Sequence, residues 1–313
     1  MPAESTSLIL DLENNINQVV LGKEDVVRMC LVALLSGEHI LLEDVPGVGK
    51  TLVGRALAKS VSGDFCRLQF TPDLLPSDIV GSNVFNSKTH EFVFHKGPVF
   101  SNIVIADEIN RTSPRTQSAL LEAMSENQVS IDGTTYDLPQ PFMVIATQNP
   151  FEYEGTYPLP ESQLDRFLMR ISMGYPSRQA EAAILDSHRK GEPLAQLGPI
   201  LSCEQIHGLQ EAVKEIAVSD SVNEYLLDIV EGTRTSDDLQ VGASTRAVLS
   251  LFRAAQSLAL IEDREFVVPD DVKRLAVSVL AHRVIPKGYL HSGQREAVES
   301  IVSRIVDEVS VPT

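Results

Sequence analysis

The sequence predicts an α/β fold in which a five-stranded parallel sheet carries helices on both faces and is followed by an α-helical domain. Continuous apolar runs at residues 103–106 and 142–147 are typical of strands that are buried on both faces of a parallel sheet. Beyond about residue 175, apolar residues recur at helical spacing instead. We therefore expect an α/β domain at residues 1–174 and a helical domain at residues 175–313.

The chain starts with two predicted helices between residues 7 and 36, separated by a break at Val20, Leu21 and Gly22. On both sides of the break, apolar residues recur every three or four positions. The glycine has two interpretations. It ends a helix, or it lets the backbone approach a flat ligand such as adenine.

Residues 41–51, LLEDVPGVGKT, predict a strand, a phosphate-binding loop and the start of a helix. Backbone N–H groups freed by the glycines, together with the positive end of the helix that begins near Lys50, bind phosphate oxygens. Lys50 supplies a charge for the β- and γ-phosphates, and Thr51 a hydroxyl for Mg²⁺. The expected nucleotide-binding residues of this stretch are Asp44, Val45, Pro46, Gly47, Val48, Gly49, Lys50, Thr51 and Leu52.

One residue departs from the general GxxxxGK[ST] pattern, because Asp44 occupies the position of the first glycine. Aspartate can visit the left-handed backbone region at modest cost, so the substitution is compatible with a phosphate-binding loop, and the geometry at the entry of the loop stays open. An ordinary glycine-rich turn before a helix is the alternative interpretation of this stretch.

After a helix to about residue 61 and a strand at residues 67–70, the chain enters a long irregular segment. Alternating apolar and polar residues around an Asn-Ser-Lys turn predict a β-hairpin at about residues 78–98. Its aromatic residues Phe85, Phe92 and Phe94 indicate either ordinary packing or a finger that engages a partner.

The apolar run at residues 103–106 ends in Asp107 and Glu108, at the edge where open α/β sheets bind ligands. Adjacent carboxylates are costly there without a cation or bound water. Asp107 suits a role in holding Mg²⁺ through its water ligands, and Glu108 suits the base that activates water. A helix capped by Ser113, with Pro114 as its first residue, is expected next.

A second hairpin is predicted at about residues 127–142, with its turn at Asp132 and Gly133. The following strand ends near Asn149, whose amide is placed to orient an attacking water. Residues 158–167 predict a short helix that carries Asp165 and Arg166, and a fifth strand follows. Four or five amphipathic helices complete the chain, one of them with a capping box at Ser202.

Charge and composition narrow the functional class. The formal net charge of −17 argues against a broad nucleic-acid interface, which needs clustered Lys and Arg.

Cys30, Cys66 and Cys203 have no CxxC spacing and are expected to be reduced thiols. The start lacks the basic segment of a signal peptide, and the longest apolar run, residues 29–35, is too short to span a bilayer. We expect a soluble cytoplasmic protein without membrane insertion.

Five motifs together resemble those of the MoxR family of AAA+ ATPases: DVPGVGKT, IVIADEINRTSPRTQSALLEAM, VIATQNP, LPESQLDRF and GASTRA. The similarity extends from Gln18 to about Arg283, and the order of the motifs is more specific than any one of them. It implies a P-loop NTPase with a C-terminal helical lid, and ATP and Mg²⁺ as cofactors. Leu21 and Gly22 match the family's adenine-side segment.

The same resemblance implies catalytic roles. Asp107 and Glu108 match the Walker B pair, and Asn149 matches sensor 1. Arg166 matches the arginine finger that reaches a neighbour's nucleotide, although an arginine after an aspartate also commonly forms a surface ion pair. Arg246 matches sensor 2, which contacts phosphates of its own or of an adjacent site.

The resemblance also implies a homo-oligomeric ring, with six subunits as the expected number, in which both hairpins point at a central pore. Arg111 and Arg115 face a neighbour or form ion pairs. The expected function is that of a chaperone that remodels or activates a client protein, often with a von Willebrand factor A domain partner. The alternatives are a chelatase-type motor subunit, a nucleic-acid motor and a nucleotide-gated scaffold that hardly hydrolyses ATP.

Overall fold

The computed structural model describes residues 2–45, 47–150, 155–189, 191–288 and 294–312. Within them the strands are β1 (Ile40–Glu43), β2 (Val61–Ser62), β3 (Phe65–Gln69), β4 (Gly81–Asn86), β5 (Glu91–Lys96), β6 (Ile103–Asp107), β7 (Gln128–Ile131), β8 (Thr134–Asp137), β9 (Met143–Gln148), β10 (Met169–Ile171), β11 (Leu201–Ser202), β12 (Leu239–Val241) and β13 (Ile285–Pro286). The α-helices are α1 (Pro2–Asn17), α2 (Glu24–Ser36), α3 (Lys50–Ser60), α4 (Pro76–Val80), α5 (Pro114–Glu126), α6 (Glu161–Leu164), α7 (Arg178–Arg189), α8 (Cys203–Lys214), α9 (Asp220–Thr235), α10 (Thr245–Ile261), α11 (Pro269–Leu280) and α12 (Gln294–Glu308).

The central sheet has five parallel strands in the order β10–β1–β9–β6–β3. This confirms the predicted five-stranded parallel sheet. The strand order does not follow the chain, because β1 lies between β9 and β10. Since all five strands run in one direction, the carboxyl ends of β1, β3, β6 and β9 lie at one edge, where α/β sheets bind their ligands.

Helices cover both faces of this sheet, as predicted. Successive side chains of a strand point to opposite faces. Ile40 and Leu42 of β1 therefore belong to the buried cluster that includes Leu57 of α3, whereas Leu41 belongs to the cluster that includes Leu120 of α5. Every residue of β1 is buried, which explains why its apolar residues are continuous.

Both predicted hairpins are confirmed, as β4–β5 and β7–β8. They contact each other, because Phe94 stacks on Tyr136 with ring centroids 4.2 Å apart and Asn83 donates a 2.7 Å hydrogen bond to Asp132. Near the tip of the first hairpin, Phe85 and Phe92 are 51% and 71% exposed. The aromatic residues of this hairpin thus divide between packing and an exposed tip.

The part of the chain after residue 175 is mainly helical, and its described residues form six α-helices rather than four or five. The prediction missed α7, in which Ala180 is the one buried residue. The capping box at Ser202 is confirmed. Three short strands in this part, β11, β12 and β13, were also not predicted.

One buried cluster joins the N-terminal helices, one face of the sheet and the helices after residue 175. Ser36 of α2 and Ser257 of α10 share a buried hydrogen bond of 2.9 Å. The core is therefore continuous across the expected boundary, and division of the chain at residue 175 stays a prediction. Among the described residues, the helices are too short or too polar to cross a lipid bilayer.

The last helix is tied to the strand that leads into the phosphate loop. Glu43, at the end of β1, is only 6% exposed. Its Oε2 atom lies 3.2 Å from Nη1 of Arg295 on α12 and 3.4 Å from Nη1 of Arg170 on β10. Because a buried carboxylate needs such partners, Arg295 holds α12 at the ligand-binding edge of the sheet, where Arg170 of β10 is the second partner of Glu43.

Candidate active site

A cleft of about 320 Å³ opens at the carboxyl ends of the central strands. Its lining comes from the loop after β1, the start of α3, and the ends of β3, β6 and β9. The lining residues are Gly47, Gly49, Lys50, Thr51, Leu52, Arg67, Gln69, Asp107, Glu108, Thr147 and Asn149. The structure thus brings together most of the residues that the sequence singled out, although they come from segments about a hundred residues apart.

The loop after β1 has the backbone that phosphate binding needs. Gly47 and Gly49 have φ values of +84° and +96°, in the left-handed region that favours glycine. Helix α3 begins at Lys50, so its positive end faces the cleft. Lys50 Nζ donates to the carbonyl oxygen of Asp44 and, at 3.1 Å, to that of Gln148. Pro46 lies outside the described residues.

The pKa of Lys50 is lowered from its ordinary value. Burial is the largest cause, and the carboxylates of Asp44, Glu108, Asp107 and Glu43 act in the opposite direction. Half-buried cations of this kind are well suited to bind an anion, because the surroundings supply little competing solvation.

Asp44 does not use the left-handed conformation, because its φ is not positive. Its backbone continues the line of β1, and its N–H donates to the carbonyl oxygen of Gln148 at 3.2 Å. An extended residue does not need glycine. Asp44 Oδ2 instead accepts hydrogen bonds from the Ser172 hydroxyl and the Gly174 N–H, both at 2.6 Å.

Asp107 is buried at the end of β6 and has three partners. Its carboxylate is 2.6 Å from Nε of Arg67. It also accepts hydrogen bonds from the hydroxyls of Thr51 and Thr147, each at 3.1 Å. The hydroxyl of Thr51 and this carboxylate are hard oxygen ligands side by side, the set that fits Mg²⁺ with its retained water molecules.

Glu108 has the strained backbone that often marks a functional residue. Its φ is +57°, and its N–H donates to the hydroxyl oxygen of Thr147 at 3.0 Å. One carboxylate oxygen, Oε2, accepts a 2.8 Å hydrogen bond from Gln69 and lies 3.3 Å from Nε of Arg111. Both contacts use the same oxygen and so fix the direction of the carboxylate.

Arg67, Gln69 and Thr147 are site residues that the sequence interpretation missed. Arg67 and Gln69 flank the buried Leu68 on β3, so both lie on one face of the strand. One sequence signal could have identified Arg67 and Gln69. They are two polar residues, separated by one apolar residue, at the carboxyl end of a predicted strand. Only the pairing of β3 with β6 places them beside Asp107 and Glu108.

Asn149 follows β9 and is only 4% exposed. It lines the cleft together with Glu108, and its carbonyl oxygen accepts a long hydrogen bond of 3.5 Å from the side chain of Asn110. Asn149 therefore borders the same space as Glu108.

A second, smaller pocket of about 180 Å³ adjoins the phosphate loop. It shares Gly47, Gly49 and Leu52 with the cleft, and Leu21, Met173 and Ile184 supply apolar lining. An apolar slot beside a phosphate loop suits a flat base.

Gly22 is not among the residues that line this pocket, but it is required for the pocket's wall. Its φ is +69°, and an added Cβ atom would lie 2.5 Å from Cβ of Ala180. The structure therefore explains this glycine by the close approach of α7, whereas α1 already ends at Asn17. Neither of the two earlier interpretations accounts for it fully.

Two predicted site residues lie elsewhere in this chain. Arg166 and Arg246 are not among the residues that line the cleft. Arg166 follows α6 rather than lying on it, and its Nη1 atom donates to the carbonyl oxygen of Leu121 and the hydroxyl of Ser125, both on α5. Its buried Nε atom has no partner among the described residues.

Arg246 lies near Arg166, at the start of α10. Its Nη1 atom is 3.9 Å from the carboxylate of Asp165, the residue before Arg166. Asp165 also accepts a hydrogen bond from Ser244 at 3.3 Å and lies 3.5 Å from Nε of the buried Arg283. Burial lowers the pKa of Arg283 to about 10, against the opposing charge of Asp165. Asp165 thus joins the segment of Arg166 to the helical part.

Two larger cavities lie elsewhere, of about 690 Å³ beside Arg55 and Lys59 and about 820 Å³ between α1 and α8. Their described lining contains neither a phosphate loop nor the paired carboxylates of the cleft. We therefore assign chemistry by the donor set and not by volume.

Comparison with protein families supports this site. Residues 39–169 match the ATPase family associated with various cellular activities (AAA), and residues 231–305 match the AAA lid domain. The first match contains the whole cleft, and the second contains α10 with Arg246.

Individual relatives are similar over nearly the full chain. The uncharacterized protein YeaC of Bacillus subtilis is 51% identical, over 95% of this chain and 93% of its own. Chaperone MoxR1 of Mycobacterium tuberculosis is 42% identical, over 95% and 80%, and protein MoxR of Paracoccus denitrificans is 30% identical, over 95% and 93%. A crystal structure of a Cytophaga hutchinsonii protein assigned as an ATPase has a TM-score of 0.90 at 38% identity, covering 100% of this chain and 97% of its own.

Proposed function

The chain belongs to the MoxR family of AAA+ ATPases, and on that premise we propose that it hydrolyses ATP as a ring-forming chaperone that remodels or activates a client protein. The observation that carries the proposal is one cleft that combines a phosphate loop with Glu108 and Asn149. A protein that only binds nucleotide needs the loop but not an oriented carboxylate beside it.

Each residue of the cleft has a distinct task in this mechanism. Lys50 and the loop N–H groups bind the phosphates of ATP. Oε1 of Glu108, which the contacts of Gln69 and Arg111 leave open, takes the proton of the attacking water, and Asn149 orients that water. When bound, Mg²⁺ would neutralise phosphate charge, and Thr51 and Asp107 would hold it.

Hydrolysis at subunit boundaries is the second part of the proposal. Within its described lining the cleft has one arginine, Arg67, which is paired with Asp107, whereas Arg166 and Arg246 lie outside the cleft around Asp165. A neighbour in a ring, with six subunits as the expected number, would bring this pair to the cleft of the next subunit. Arg166 would then stabilise the charge of the transition state.

In this proposal, the exposed tip of the first hairpin, β4–β5, is the surface that binds the client. Phe85 and Phe92 are large, exposed and in edge-on contact, with ring centroids 5.4 Å apart. Exposed apolar side chains of this kind bind an unfolded segment of a client protein without sequence preference. The chaperone name of the 42% identical relative supports a client, and the family resemblance implies a von Willebrand factor A domain partner.

We also propose a cytoplasmic location. Cys30, Cys66 and Cys203 are unpaired, and burial raises the pKa of Cys30 to about 12, so its thiol stays protonated and unreactive. Free thiols of this kind are typical of a reducing compartment.

The decisive experiment is Glu108→Gln. We expect the variant to bind ATP with unchanged affinity and to lose at least about 100-fold in kcat, since the base is removed but the phosphate loop is intact. Glu224→Gln, at an exposed position of α9, is the matched control and should hydrolyse ATP normally. Undiminished turnover in Glu108→Gln would refute the role of Glu108, and failure of the wild-type protein to bind ATP would refute the whole proposal.

Ring assembly has its own test. Below the assembly concentration, the hydrolysis rate of the wild-type protein should rise more steeply than in proportion to protein concentration. A rate strictly proportional to concentration, from a species that stays monomeric, would exclude hydrolysis at subunit boundaries.

A further inference from the structure

Residues 172–175, which we name the connector, link β10 to the segment that leads into α7. The connector is held from two sides by opposite charges. On one side, Asp44 Oδ2 accepts hydrogen bonds of 2.6 Å from the hydroxyl of Ser172 and the N–H of Gly174. On the other side, the Lys23 ammonium donates to the carbonyl oxygens of Met173 and, at 3.0 Å, Tyr175.

The contacts of Asp44 are all made with hydrogen-bond donors of the backbone or a hydroxyl. Its Oδ1 atom accepts the N–H of Val45 at 2.7 Å. Burial alone would raise the pKa of Asp44, but the hydrogen bonds from Ser172, Gly174, Val45 and Met173 outweigh it and hold the pKa below its ordinary value. Such bonds favour the ionised carboxylate and are stronger than neutral ones.

The connector is also part of the nucleotide site. Met173 and Lys23 both line the apolar pocket beside the phosphate loop, as does Pro176 directly after the connector. On the opposite side of Asp44, its carbonyl oxygen accepts a hydrogen bond from Lys50, the phosphate-binding lysine. Asp44 therefore contacts both the lysine that must bind phosphate and the segment that leads to the helical part.

The conformation of the connector makes it a natural pivot. Gly174 has a φ of +61°, which only glycine adopts freely. Residues before it belong to the central sheet, and residues after it lead into α7. A small change in its backbone would move α7 and the helices that follow relative to the phosphate loop.

We propose that Asp44 and Lys23 are positioning residues, which fix the connector against the phosphate loop so that binding of a nucleoside triphosphate is transmitted to the helical domain. The inference rests on the proposed ATP site. It also gives a reason for the aspartate at a position where the general motif has glycine, since glycine has no side chain to hold Ser172 and Gly174. Asp44 and Lys23 act through the connector and need not touch the reacting atoms.

The test is hydrogen exchange of the full-length protein with and without ATPγS and Mg²⁺. In the wild-type protein, we expect nucleotide to slow exchange at Gly174 and in α7. In Asp44→Asn and in Asp44→Gly, exchange at Gly174 without nucleotide should be about tenfold faster, and nucleotide should no longer slow exchange in α7. Steady-state kinetics should show a loss mainly in kcat rather than in KM.

Four further variants guard against a merely unfolded protein. Ser172→Ala removes one partner of Asp44 and leaves the phosphate loop intact, so it should speed exchange at Gly174 about threefold to tenfold without altering ADP affinity. Lys23→Arg should retain the wild-type response to nucleotide, whereas Lys23→Ala should lose it. Ser130→Ala, which removes an exposed hydroxyl from the second hairpin, is the matched control.

The possible outcomes separate this inference from the proposed function. If the wild-type protein binds no ATPγS, both fail. If it binds ATPγS but Asp44→Asn and Ser172→Ala exchange like the wild-type protein, the inference alone is overturned. Faster exchange at Gly174 with an unaltered response of α7 to nucleotide would also overturn it, because Asp44 would then stabilise the connector without transmitting anything.

Discussion

Gln69 donates a 2.8 Å hydrogen bond from Nε2 to Oε2 of Glu108, across the paired strands β3 and β6. The same oxygen lies 3.3 Å from Nε of Arg111. The amide thereby helps to fix the direction of the carboxylate that we propose as the base. Direction matters in general-base catalysis, because proton transfer needs a short and aligned hydrogen bond.

We expect Gln69→Ala to lower kcat about tenfold and to leave the affinity for ATP unchanged, because the base loses its orientation but the phosphate loop does not change. Steady-state kinetics and titration with a fluorescent nucleotide measure the two quantities separately. Gln69→Glu should be worse than Gln69→Ala, since a second carboxylate would face Glu108. An unchanged or increased kcat in Gln69→Ala would contradict this role.

Gly22 offers a clean comparison with Gly37. Both have left-handed backbones, with φ values of +69° and +68°. A Cβ atom at position 22 would lie 2.5 Å from Cβ of Ala180, whereas at position 37 the nearest atom is a flexible side-chain nitrogen 3.8 Å away. Alanine at either position would therefore have the same strained backbone conformation. Only at position 22 would its Cβ atom also clash, with Cβ of Ala180.

We expect Gly22→Ala to weaken ADP binding about tenfold, because α7 must move and it lines the apolar pocket. Gly37→Ala should cost about 1 kcal/mol of stability and leave ADP affinity unchanged. Isothermal titration and thermal unfolding of both variants test this. Equal ADP affinities in the two variants would show that the approach of Ala180 does not shape the pocket.

Arg166 and Arg246 give a test of catalysis between subunits. Lys50→Ala and Arg166→Ala should each be inactive alone. A one-to-one mixture should regain activity, since random assembly makes about a quarter of the boundaries intact on both sides. Lys50→Ala mixed with Arg246→Ala should behave in the same way if sensor 2 also acts on a neighbour. Mixtures that remain inactive after verified subunit exchange would assign the arginines to their own subunit or to structure alone.

His39 predicts a pH dependence of stability. It is 3% exposed, Nδ1 accepts the N–H of Val144 at 3.1 Å, and Nε2 contacts the carbonyl oxygen of Met124 at 3.0 Å. These contacts require a neutral ring with its proton on Nε2. Burial lowers the pKa of His39 from 6.5 to about 4, against the hydrogen bond to Met124.

The sign of the effect follows from proton binding. Above pH 6.5 the His39 ring is neutral in both the folded and the unfolded chain, so its protonation does not change the free energy of unfolding. As the pH falls from 6.5 to about 4, the unfolded chain binds a proton that the folded chain does not, so the free energy of unfolding falls by up to about 3 kcal/mol. Urea unfolding at pH 7 and pH 4.5 measures this loss. His39→Gln should be less stable at pH 7 but should lose less stability on acidification, and an equal loss in both proteins would contradict the prediction.

The local elements were predictable because their determinants are local. Asp132 and Gly133 form the predicted turn, Ser202 caps α8, and buried runs form β6 and β9. Helix α7 escaped detection because it buries little apolar surface. The sequence left the backbone of Asp44 open, and the structure shows that its φ is not positive and that its N–H pairs with Gln148.

The sequence by itself therefore determined the family, the five-stranded parallel sheet and both hairpins, since their signals lie in short stretches of neighbouring residues. Only the tertiary structure decided which side chains meet. It placed Gln69 against Glu108, Arg67 against Asp107 and Asp44 against the connector, and it placed Arg166 away from its own cleft. The physical reason is that the order β10–β1–β9–β6–β3 joins segments distant in the chain, and side-chain contacts across such strands depend on packing of the whole core.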